Sequence, residues 1–467
     1  MNSKILRVTD PFRGEILSEL PLLDADAARA LVLRSAKAQR AWARSPLETR
    51  MALCSSAMRA LEEREESVAR ELSRQMGKPV AQARKEVRTC VARARRMIEL
   101  APEALRPIEP EAGPGQRLRI TREPVGVVLD IAAWNYPLLI AINVVVPAVL
   151  SGDSVLIKHS SRTPLCAEQI VDAFRAAGAP PDLALALHCN HRVVDEILAM
   201  DEIAYVSFTG SVQGGHEIYQ SAARRFIDVG LELGGKDPAY VAPDCDLERT
   251  IDGVADGAFY NAGQSCCGVE RIYVHRDVHD RFVEGLVERA LAYRLGDPLE
   301  DGTTLGPLAD PLAGAFLMEQ VAQACALGAR QLCGGSISIG SCERFVAPVV
   351  VDRADHRMAL MRQESFGPVV GVQAVDSDEE AITLMNDSCY GLTASIWTRD
   401  LDRALRMGAA VEAGTIFLNR CDFLDPSLAW TGVKDSGKGV SLSSLGFYPL
   451  TRPKSWNLSL PPSSEPS

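Results

Sequence analysis

Through the first hundred positions, apolar residues recur at helical spacing. Ala28, Leu31, Val32 and Ala36 share one face, and Leu53, Met58, Leu61 and Val68 continue the period in a second segment, so residues 24–100 are predicted to be helical packing material. The basic stretch 84–96 also carries Glu86 and reads as a solvated helix face. After a Pro-rich segment the period falls to two: residues 117–122 alternate as a strand does, with Leu118 and Ile120 on one side. Apolar runs within 124–137, 154–159 and 203–208 read as buried strands of the parallel type. Separated by helical stretches, they predict a parallel, doubly wound unit over 125–231. A strand at 271–274 and helices at 280–295 and 313–327 repeat the pattern. Residues 138–150 are the apolar stretch to test as a membrane span. They contain Asn143 and Pro147 and meet a polar break at 151–153, so a core helix is expected instead. Near the C-terminus Trp456, Leu458 and Leu460 alternate with polar residues, a strand whose apolar face needs a second subunit to cover it.

Composition narrows the class. With 467 residues, 47% hydrophobic and 24% charged, the chain is long enough for two or three domains with well-buried cores. A net charge of -11 without a long basic run argues against a nucleic-acid partner. The twelve cysteines lack paired metal-ligand spacing and the seven histidines include no His-x-x-x-His, so no metal site is expected. Scattered cysteines without a secretory leader predict a reducing, cytoplasmic setting.

Candidate chemistry concentrates in two short segments. Residues 261–271 read Asn-Ala-Gly-Gln-Ser-Cys-Cys-Gly-Val-Glu-Arg, which puts Cys266 and Cys267 in a small-residue loop directly after an apolar run. A thiol attacks only as thiolate, and a polar loop suits that chemistry; two small buried hydrophobes are an equal reading of the pair alone. Upstream, Leu231-Glu232-Leu233-Gly234-Gly235-Lys236 sets a carboxylate between leucines, where desolvation raises its pKa toward the range of a general base.

Together these segments resemble the aldehyde dehydrogenase family, whose Glu-Leu-Gly-Gly-Lys and Gly-Gln-x-Cys motifs occur in this order. The resemblance runs from about residue 28 to the C-terminus. It implies an α/β fold with a Rossmann-like cofactor domain (1–105 and 125–232), an α/β catalytic domain (233–440) and a small β oligomerisation arm (106–124 and 441–467) in a homodimer or homotetramer. It implies oxidation of a small-molecule aldehyde to the acid with NAD+ or NADP+. Cys266 would be the nucleophile and Glu232 the base. Asn135, in Trp134-Asn135-Tyr136-Pro137, would be the oxyanion donor; a helix cap is the other reading of that residue. Cofactor contacts fall on Trp134, Lys158, Ser161, Gly210, Ser211, Gly215, Leu233, Glu364 and Phe366, although the turn at 209–215 is not a Gly-x-Gly-x-x-Gly fingerprint. Ser161 stands where many NAD-preferring relatives carry a glutamate. With Arg162 or His159 available to pair with a 2′-phosphate, NADP+ stays open.

Matched positions give a substrate tunnel of Tyr136, Ile140, Asn143, Ser265, Cys267, Leu424 and Trp430. No cation is among them, so a neutral aliphatic or aromatic aldehyde is expected, with Arg420 close enough in sequence to keep a semialdehyde open and Asp422 placed to meet an amine. Val144 and Ser441 replace a lysine and a glutamate thought to relay protons in hydrolytic relatives, which implies another route for Glu232. The rivals are a CoA-acylating relative, disfavoured by Glu232, and an idle structural or binding scaffold on the same fold.

Overall fold

The computed structural model describes residues 5–459, so Leu460 of the expected terminal strand lies outside the described residues. The N-terminal region is four helices, Ala25–Trp42, Leu47–Glu62, Glu65–Met76 and Val80–Ala104, preceded by an unanticipated antiparallel pair, Ile5–Thr9 with Ile16–Pro21. The fourth helix corrects the sequence reading. Arg84 and Arg88 do face outward, paired with Glu66 and Glu65. Glu86 and Arg93, however, are only 3% and 5% exposed. They sit on the same stripe as buried Ala83, Val87, Cys90, Ala94 and Met97, because three- and four-residue steps return to one helix face.

A six-stranded sheet runs in the spatial order Gly437–Lys438, Asp228–Glu232, Ile203–Thr209, Val127–Ala132, Ser154–His159, Ala184–Ala186. It is parallel except at its first edge. Residues 437–438, expected in the catalytic unit, instead extend this sheet and pair with Leu231 and Glu232. The chain leaves Val127–Ala132 toward one side and later returns to its other side, so a crevice opens at the carboxyl ends of these strands. Helix Pro137–Ser151 packs against Val80–Ala104 and is buried almost throughout, as its unbroken apolar run requires.

A seven-stranded sheet forms the second layer, in the order Arg330–Ile339, Cys342–Asp352, Val369–Val375, Val269–His275, Asp237–Val241, Thr393–Trp397, Thr415–Leu418. Its strands are parallel except for the Arg330–Ile339 edge. Finally, Gln116–Pro124 pairs antiparallel with Thr451–Ser459 as a separate two-stranded ribbon on which Trp456 and Leu458 are 39% and 41% exposed. No helix among the described residues is long and apolar enough to cross a membrane.

Candidate active site

The cysteine loop is held in a shape few sequences adopt. Asn261, Ala262 and Gly263 have consecutive positive φ values of 53°, 55° and 66°, a conformation that costs roughly 1–3 kcal/mol at each non-glycine position. Polar contacts hold it. Asn261 Nδ2 donates to the carbonyls of Asn135 and Gln264, each at 3.1 Å, while Gln264 Nε2 donates back to Asn261 O at 3.0 Å. Gly263 lies so close to the Gly367 carbonyl that a Cβ would stand 2.2 Å from it. From the other sheet, Gly235 presses on the same loop, where a Cβ would stand 2.3 Å from Cys266 O.

The two adjacent thiols are unlike. Cys267 is 3% exposed, and its Sγ donates to Asp422 Oδ1 at 3.0 Å. Its hydrogen bond with Cys266, its burial and the charge of Asp422 push the thiol well up, which keeps it protonated. Cys266 is partly exposed and lines a cavity of about 140 Å³. Burial pushes Asp422 up to about 6, with the Cys267 and Ser265 donors and Lys78 acting in the other direction. Its Oδ1 also accepts from Ser265 Oγ at 2.8 Å, so this carboxylate is occupied rather than free to meet an amine.

Glu232 faces the same cavity from the end of its strand. Burial raises its pKa, while the Ser441 hydroxyl, the Arg93 charge and Thr209 act in the opposite direction. Ser441 Oγ donates to Oε1 at 2.6 Å and Thr209 Oγ1 to Oε2 at 3.4 Å. Ser441 is therefore more than a missing relay glutamate: it holds the carboxylate directly. Val144 lines a smaller neighbouring cavity together with Glu232, Ser441, Tyr205 and Ser207.

Asn135 is 4% exposed, just before helix Pro137–Ser151. It does not cap that helix, whose cap position is Tyr136 with no side-chain bond. The first turn is served instead by Glu86, whose Oε1 accepts from Leu138 N at 3.0 Å. Glu86 forms a buried ion pair with Lys78, and Lys78 Nζ also donates to Asn135 O at 2.8 Å. This long-range scaffold was missed in the sequence, where its members look like surface charges.

All seven expected tunnel residues, Tyr136, Ile140, Asn143, Ser265, Cys267, Leu424 and Trp430, line the cavity shared by Cys266 and Glu232. So does Arg93, which overturns the premise that the tunnel holds no cation. In the sequence Arg93 is indistinguishable from the solvated Arg84 and Arg88 of the same helix. Arg420, the cation kept in view, stacks 3.3 Å from the centroid of the Phe423 ring.

A second cavity, of about 600 Å³, follows the carboxyl ends of the six-stranded sheet and is lined by Trp134, Lys158, Ser161, Gly210 and Ser211. Gly215, also expected there, is buried against Leu233, where a Cβ would stand 2.7 Å from Leu233 Cδ2; Gly214 takes the lining position. Ser211 caps helix Val212–Ala222, whose free N–H groups suit a phosphate. Lys158 is 8% exposed with no ion-pair partner among the described residues. Leu233 N donates to Ser436 O at 2.9 Å. Glu364 accepts from Gly235 N at 2.9 Å and is pushed up to about 7 by burial and by Glu270. The Phe366 ring meets Trp134 edge-on at 5.5 Å. Of the two cations considered for a 2′-phosphate, Arg162 lines this cavity and His159 does not. Arg162 pairs with Asp310 at 2.6 Å, and His159, lowered to about 4 by burial, is tied to Pro137, Ser160 and Thr163. An extended groove with an unpaired ammonium and a capped helix N-terminus fits a dinucleotide.

A profile of the aldehyde dehydrogenase family matches residues 1–456. The chain belongs to that family, and it is an NAD(P)-dependent enzyme that oxidises an aldehyde to the acid. It is 34% identical over 439 residues to the succinate semialdehyde dehydrogenase (NAD(P)+) Sad of Escherichia coli, covering 94% of this chain and 95% of that protein. Among solved structures it is similar to betaine aldehyde dehydrogenase of Staphylococcus aureus in complex with NAD+ (TM-score 0.94, 27% identity, 99% and 93% of the two chains). It is also similar to the NADP-dependent glyceraldehyde-3-phosphate dehydrogenase of Bacillus halodurans complexed with NADP (TM-score 0.92, 30% identity, 99% and 100%).

Proposed function

We propose that Cys266 attacks the aldehyde carbon, that Asn135 and the Cys266 backbone amide receive the resulting oxyanion, and that Glu232 activates the water that releases the acid. The observation that carries this reading is the single cavity in which a partly exposed Cys266 meets a carboxyl whose pKa is raised by burial. The Cys266–carbon bond forms first. Trp134, Lys158, Ser161, Gly210, Ser211, Leu233, Glu364 and Phe366 would hold a nicotinamide coenzyme, which would supply the hydride acceptor. With the hydride gone the carbon is a thioester on Cys266. Glu232 takes a proton from water, the hydroxide adds, the carbon–sulfur bond breaks, and the acid leaves with the thiolate regenerated. Preorganised oxyanion donors of this kind are typically worth about 3 kcal/mol.

Two finer readings accompany it. Both coenzymes are accepted, with no carboxylate at Ser161 to repel a 2′-phosphate and Lys158 lining the same cavity without an ion-pair partner among the described residues. The apolar positions of the two-stranded ribbon support assembly into a dimer or tetramer. Steady-state absorbance of the reduced nicotinamide, with NAD+ and NADP+ in parallel, tests the reaction. Cys266→Ser should abolish turnover with coenzyme binding retained, and turnover surviving in that variant would remove Cys266 from its role.

A further inference from the structure

We propose that Arg93 recognises an anionic group on the substrate, so that the preferred aldehyde carries a carboxylate at the end remote from its carbonyl. This rests on the aldehyde oxidation described above and adds a substrate class and the residue that selects it.

The argument begins with an unbalanced charge. Arg93 is 5% exposed and lines the cavity of Cys266 and Glu232. Its Nη1 donates to Asn143 Oδ1 at 3.0 Å and reaches Leu139 O at 3.5 Å. Among the described residues its Nε is buried with no hydrogen-bond partner and Nη2 makes no hydrogen bond. No carboxylate among the described residues pairs with it. A buried cation without an anion is costly, and a guanidinium with unengaged donors is built to receive a planar, two-oxygen acceptor.

The other charges around the cavity are each accounted for. Glu86 is paired with Lys78, Asp256 is opposed by the charge of Lys85, and Asp422 accepts from Ser265 and Cys267. Glu232 accepts from Ser441 and Thr209. Arg93 is the group left over. In the cavity that Arg93 shares with the thiol, Ile140, Leu424 and Trp430 supply apolar wall for a short methylene chain, and a volume of about 140 Å³ suits a small molecule. Asn143 orients the guanidinium from the facing helix.

Arg93 also bears electrostatically on Glu232, so the test must separate selection of substrate from support of the base. The matched probes are succinic semialdehyde and butanal, four carbons each, oxidised by the full-length enzyme and by Arg93→Met. The expected result is a wild-type kcat/KM ratio of about 100 or more in favour of the semialdehyde. That ratio should collapse by a similar factor in Arg93→Met, mainly through KM, and recover in part in Arg93→Lys. A ratio unchanged by Arg93→Met, both substrates falling together, would show that Arg93 serves the base or the fold and would overturn the proposal. Calorimetric binding of succinate and butanoate to both proteins supplies a readout independent of turnover. Succinate binding to wild type and lost in Arg93→Met supports the anion site even if no aldehyde is oxidised, an outcome that would remove the reaction and leave the site. No succinate binding to wild type would overturn it.

Discussion

At the scale of single residues, the site works by giving similar groups different surroundings. Cys266 and Cys267 are neighbours, yet only Cys267 is sealed against a carboxylate that holds it as a thiol. Glu232 is raised by burial and held back by the Ser441 hydroxyl. Its base form therefore appears above the usual carboxylate range, and deacylation should climb with pH through that raised pKa. Ser441→Ala removes an interaction that favours the ionised form, so the climbing limb should move to higher pH; single-turnover deacylation rates across pH 5–9 would check this, and a limb that moves down would contradict it. Folding stability changes in the opposite direction. A native pKa above the unfolded one means the native state binds more protons, so folding loses stability as pH rises through the unfolded and then the native pKa. Glu232→Gln should raise the apparent Tm at pH 8 and lose that advantage near pH 4. The motif residues were readable in the sequence because each chemistry is local to a few positions. Arg93, the Lys78–Glu86 pair and the Ser441–Glu232 bond were not, because the partners lie 8 to 209 positions apart and each looks ordinary alone.

At the scale of elements, the strands were the most legible part. Ser154–His159 falls on the expected residues, and Ile203–Thr209 differs by one, because strands buried on both faces are written as unbroken apolar runs with polar ends. Helices were less sharply bounded. The stretch 24–100 keeps one period across breaks whose signals, Pro46 and Pro79, precede helices rather than end them, so periodicity alone merged four helices into two segments. The edge strand Gly437–Lys438 is too short to carry any period, yet it completes the sheet beside Glu232. The turn after Glu232 offers a direct test of how elements position chemistry. Gly235→Ala would drive a methyl into the Cys266 carbonyl. Displacement of about 1 Å typically costs 10²-fold in rate, so kcat should fall by about that factor while coenzyme affinity, set mainly across the groove, stays within a few-fold. Equilibrium binding and kcat measured on the same preparation would check it.

At the scale of the whole molecule, the two groups of the proposed reaction come from two sheets and a ribbon stands apart from both. Glu232 ends a strand of the six-stranded sheet, while Cys266 sits in the loop entering the seven-stranded sheet, so the proposed reaction needs both. The ribbon leaves Trp456 and Leu458 exposed, and light scattering at micromolar concentration should give a dimer or tetramer mass; the mass of one chain would contradict the assembly proposed here. The most direct measurement of the central claim is peptide mapping by mass spectrometry of Glu232→Gln after a single exposure to butanal or succinic semialdehyde with NAD+ or NADP+. Reduced nicotinamide should form in one burst, and the acyl group should be found on Cys266. A burst with the acyl group on Cys267, or with no protein adduct, would contradict the account.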